Sequence, residues 1–143
     1  MANKWTYIRL LIVAVGVLSS ASTPSLWSAA APPIPWWSIP IILLVMPFAL
    51  LHTVRLQARN PRSASKWRYP SWHVNPFLLK EPLQFYHLAA FFCIGVGSSA
   101  CVLVLFVKDS LTPVPFFVLS TGVGMWLGVR LCPIVFRDKM VVL

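Results

Sequence analysis

Apolar positions in this chain gather into four long runs, and the polar positions fill the gaps between them. The runs cover about residues 7–22, 36–54, 85–107 and 116–136. None alternates with the two-residue period of a half-buried strand, and each is long enough to be read as a helix in lipid. The pattern predicts an all-α integral membrane protein. One membrane domain spans residues 1–143, with four transmembrane helices arranged as two helical hairpins joined by a basic cytoplasmic loop, residues 55–84.

The third run is the clearest. Phe85 to Val107 carries no formal charge and would measure about 34 Å as a helix. The first run is short, roughly 24 Å by the same rise. It also resembles a signal peptide, with Lys4 and Arg9 before an apolar stretch that ends in Ser19-Ser20-Ala21. The reading adopted is a retained helix. The second run starts at Trp36-Trp37, an interfacial aromatic pair, and holds Pro47, which predicts a kink.

Composition agrees with lipid as the solvent. Of 143 residues, 58% are hydrophobic and 10% charged, where a soluble domain carries about a quarter charged. Mean hydropathy is +0.77. Net charge is +9, from twelve Lys and Arg against three Asp and Glu. In a soluble chain such an excess would suggest nucleic acid. Here the bases lie beside apolar runs, which suits anionic lipid headgroups and disfavours nucleic acid.

Charge also sets orientation. With four crossings, eleven of the twelve Lys and Arg fall on the side of the termini and the long loop, and Lys108 alone falls opposite. The positive-inside rule then places both termini in the cytoplasm, with a bacterial inner membrane as the expected location. In the loop, Arg55, Arg59, Arg62, Lys66 and Arg68 are interleaved with Trp67, Tyr69 and Trp72. That mixture suits a segment lying among headgroups or against a partner.

Small residues suggest how the spans pack. Ala89, Cys93, Gly97 and Cys101 recur every four residues in the third run, and Ser120, Gly124, Gly128 and Cys132 do so in the fourth. A spacing of four places each set on one helix face, where small side chains let backbones approach closely. The stripes match in antiparallel register: Ala89 with Cys132, Cys93 with Gly128, Gly97 with Gly124, Cys101 with Ser120. The three cysteines lack metal-ligand spacing and read as packing residues.

Arg130 lies inside the last run and no Asp or Glu lies within any run. Its long stem can carry the guanidinium to the headgroups, or to an anionic lipid or a partner's acid. Catalytic chemistry is poorly served. The acids Glu81, Asp109 and Asp138 lie between or beyond the runs, and His52, His73 and His87 include no i, i+4 ligand pair. No phosphate-binding glycine loop or nucleophile elbow occurs. The expectation is a non-catalytic protein without cofactor or metal. It would act by contact in the bilayer, either as an accessory or assembly subunit or as an inhibitor of immunity type against a membrane-active partner. A homo-oligomeric channel or transporter subunit is the alternative.

Overall fold

A computed structural model describes residues 4–22, 34–58, 67–69, 83–106, 112–137 and 140–142. Four helices dominate it: α1 (Lys4–Ser22), α2 (Ser38–Ala58), α3 (Leu83–Phe106) and α4 (Val114–Val135). Helices α2, α3 and α4 are long and apolar enough to cross a membrane, whereas the apolar part of α1, Thr6–Ser22, is shorter. Two three-residue strands, β1 (Trp67–Tyr69) and β2 (Met140–Val142), complete the described elements.

The starts of α2 and α4 follow from their prolines. Before α2, the amide of Ser38 donates to the carbonyl of Pro35 at 3.0 Å, and its hydroxyl donates to the same oxygen at 2.6 Å. Pro113 stands at the N-cap of α4, and its carbonyl accepts from the amide of Phe117. Pro40 of α2 and Pro115 of α4 then lie in the first turn, where an amide has no partner inside the helix.

The helices pack in the order α1–α3–α4–α2. Helix α1 has no comparable packing with α2 or α4, and α2 has none with α3. The two members of the expected first hairpin are therefore separated by α3 and α4. Glycines account for this order. Gly16 of α1 lies against Phe92, Gly95 and Val96, while Gly95 of α3 lies against the backbone of Val13. On the other side of α3, Gly97 meets the backbone of Leu119, and Gly122 of α4 meets Ala90, Cys93 and Ile94. Gly124 and Gly128 then turn to α2. Two residues along a helix rotate by about 200°. Gly95 and Gly97 thus serve opposite faces of α3, and Gly122 and Gly124 opposite faces of α4. Two-residue steps of this kind lay helices side by side in a row.

The same contacts fix direction. Ser20 hydrogen-bonds Ser99 and Gly16 meets Gly95, so α1 and α3 run parallel. Gly97 on Leu119 and Gly122 on Ala90 make α3 and α4 antiparallel. Helices α2 and α4 are parallel, with the Trp36 and Phe116 rings 5.6 Å apart at their shared starting level. The start of α1, the end of α2, the start of α3 and the end of α4 therefore lie at one end. Arg9, Arg55, Arg130 and Arg137, the basic residues with described side chains, all belong to that end. There Leu50, Val54, Leu83, Val129 and Cys132 form a buried cluster.

Strand β1 pairs with β2 in parallel, with Trp67 beside Met140, Arg68 beside Val141 and Tyr69 beside Val142. The basic loop is thus tied to the tail that follows α4.

Candidate functional site

The cationic end of the row carries basic side chains from three adjacent helices at a similar level. Arg9 comes from α1 and is only 7% exposed. His87 comes from the second turn of α3, half-buried, with both ring nitrogens enclosed and without a hydrogen-bond partner. Its ring meets that of Phe91 at 5.1 Å. Arg130 comes from α4, half-buried, with its guanidinium carbon 5.6 Å from the Trp126 ring centre. The helix registers put Arg9, His87 and Arg130 at the same end of the row.

Register explains the shared level. The parallel α1–α3 contact, Ser20 on Ser99, carries down to Arg9 near His87. The antiparallel α3–α4 contact, Gly122 on Ile94 and Ala90, carries down to Val129 and Arg130 near the same level. An arginine in a span is costly unless its head reaches polar surroundings. Position near the basic end and the face of Trp126 both ease that cost for Arg130.

A second basic feature lies on the far side of α4. A cleft of about 440 Å³ between the ends of α2 and α4 is lined by Phe48, Leu51, His52, Arg55, Val135 and Phe136. Among the described residues no group of three or more His, Cys, Asp or Glu is placed to hold a metal ion.

The expected contact residues are distributed as follows. Arg55 is exposed and lines the cleft. Trp67 and Arg68 lie in β1. Arg59, Arg62, Lys66 and Trp72 lie outside the described residues. His87 has both ring nitrogens enclosed. Its signal was its level, about two turns below Gly95 on α3.

The small-residue seam takes a different register from the one expected. Cys93 and Gly97 do face α4, but they meet Gly122 and Leu119. Gly124 and Gly128 face α2, so the pairs Gly97–Gly124 and Cys93–Gly128 do not form. Cys132 belongs to the cluster with Leu50 and Val54 of α2 and Leu83 of α3. The physical reason is that α4 has two neighbours, and its glycines at two-residue offset serve one each. Cys93, Cys101 and Cys132 are free thiols, the last two buried.

No protein-family model matches the sequence, and no curated protein or solved structure matches it either.

Proposed function

We propose that this chain is a multi-pass membrane protein that acts by contact, without catalysis, on a membrane-embedded partner. It serves either as an accessory or assembly subunit or as an inhibitor of a membrane-active protein. The observation that carries this reading is the open row of helices. The row leaves α1 and α2 at its two ends, each packed mainly against one neighbour, and the outward faces of the inner helices stay apolar. Val102, Leu105 and Phe106 on α3 and Leu127, Leu131 and Ile134 on α4 stay exposed. Faces this apolar are covered by lipid or by partner helices.

His87 supports the same reading. Enclosed polar atoms are normally satisfied, and a carboxylate or phosphate brought by a partner would meet both His87 and the neighbouring guanidinium groups. The gathering of Arg9, Arg55, Arg130 and Arg137 at one end supports a cytoplasmic placement of that end and of both termini.

The test is affinity capture of the tagged full chain from native membranes in mild detergent. A stoichiometric set of membrane subunits supports the accessory role, and one membrane-active partner supports inhibition. Recovery of the bare chain, together with single-channel current in planar bilayers, contradicts both and leaves the channel.

A further inference from the structure

We propose that the cleft between the ends of α2 and α4 binds one anionic phospholipid. Its phosphate sits on Arg55 and His52, and an acyl chain lies along Phe48, Leu51 and Val135.

The order of residues along α2 carries the proposal. Phe48, Leu51, His52 and Arg55 lie at i, i+3, i+4 and i+7, which is one face of the helix. Over about 10 Å of rise that face passes from apolar to cationic. A phospholipid has the same sequence of chemistry from chain to phosphate. Val135 and Phe136 of α4 close the opposite wall. The volume, about 440 Å³, falls within the usual range for small-ligand sites, roughly 300–1,000 Å³.

Position agrees. Arg55 lies in the last turn of α2, at the cationic end where headgroups would stand. Phe48 and Val135 are 70% and 55% exposed, so the cleft opens sideways and a lipid can enter from the bilayer. Arginine holds phosphate through paired donors, and His52 beside it adds another. A partner helix would fill the apolar part equally well but would leave the charge gradient unused.

The proposal rests on the membrane reading, and native mass spectrometry of the full chain in mild detergent tests the two separately. Dioleoylphosphatidylglycerol and dioleoylphosphatidylcholine are the probes. The wild-type chain is expected to retain one phosphatidylglycerol at a concentration about tenfold lower than phosphatidylcholine requires. Arg55→Gln erases the preference, and so does Leu51→Trp, which fills the cleft and keeps the charge. Lys108→Gln, which removes the same unit of charge beyond α3 in sequence, retains it. Equal retention of the two lipids by the wild type overturns the proposal, as does survival of the preference in either cleft variant. A chain that separates from membranes altogether fails the membrane reading; an embedded chain without lipid preference fails this proposal alone.

Discussion

Gly128 of α4 and Pro47 of α2 meet backbone to backbone. A β-carbon at position 128 would stand 3.1 Å from the Cα of Pro47 and 3.2 Å from the Cβ of Leu50. One turn earlier, a β-carbon on Gly124 would stand 2.9 Å from the Cβ of Met46 and 3.3 Å from the carbonyl oxygen of Leu43. That carbonyl is the one Pro47 deprives of its helical amide donor. The proline thus leaves that carbonyl without its helical donor, and Gly124 lets α4 approach it closely.

Gly124→Leu is therefore expected to separate α2 from α4 while leaving α3 on α4. Overpacking at a closed backbone contact costs about 1–3 kcal/mol. Thermal stability in detergent should fall accordingly, and Leu131→Ala on the exposed side of the same helix should change it little. Equal stability of Gly124→Leu and wild type would remove α2 from this face.

The α1–α3 contact separates packing from hydrogen bonding. Gly95 abuts the backbone of Val13, so Gly95→Leu meets atoms that cannot turn aside and should release α1. Ser20 and Ser99 share one hydrogen bond, and such bonds in membranes contribute about 0.6 kcal/mol on average. Protease protection of the N-terminal segment should be lost in Gly95→Leu and nearly kept in Ser20→Ala. The reverse order would mean that the serines, rather than the glycines, hold α1.

The four helices were legible from hydropathy because each apolar run exceeds what a soluble core can hide. The neighbours of α4 were not legible. A four-residue stripe marks a face but says nothing of what covers it. On α2 the covering residues are Met46, Pro47 and Leu50, none of which is small, so no matching stripe exists to read. The pairing of Trp67–Tyr69 with Met140–Val142 escaped because three-residue strands carry no measurable period. The shared level of Arg9, His87 and Arg130 escaped for a related reason. It depends on the α1–α3 register, which Gly16, Gly95 and the Ser20–Ser99 bond set from three separate signals.

His87 gives a prediction of opposite sign for stability and function. Its enclosed nitrogens make no hydrogen bond, and replacing an unsatisfied buried polar group by an apolar one of similar shape is close to neutral or stabilising. His87→Phe should match or exceed the wild type in thermal stability while weakening partner capture. A marked loss of stability would show that the imidazole is structural.

The helix directions put the end of α2 and the end of α3 at opposite ends of the row, and the proposed membrane placement sets those ends on opposite sides of the bilayer. In intact cells, a membrane-impermeant maleimide should label Ser110→Cys, and should label Arg62→Cys only after permeabilisation. Labelling of both without permeabilisation would break the alternation.

The account turns most on the row α1–α3–α4–α2, and oxidative cross-linking tests it directly. Gly128→Cys combined with Leu50→Cys places two β-carbons about 3.2 Å apart, close to the roughly 3.5–4.5 Å of a disulfide. With Cys101 and Cys132 replaced by Ala and native Cys93 retained as the competing thiol, oxidation in membranes should join positions 128 and 50 and leave Cys93 free. A bond from position 128 to Cys93 would contradict the row and restore the register that the sequence alone suggested.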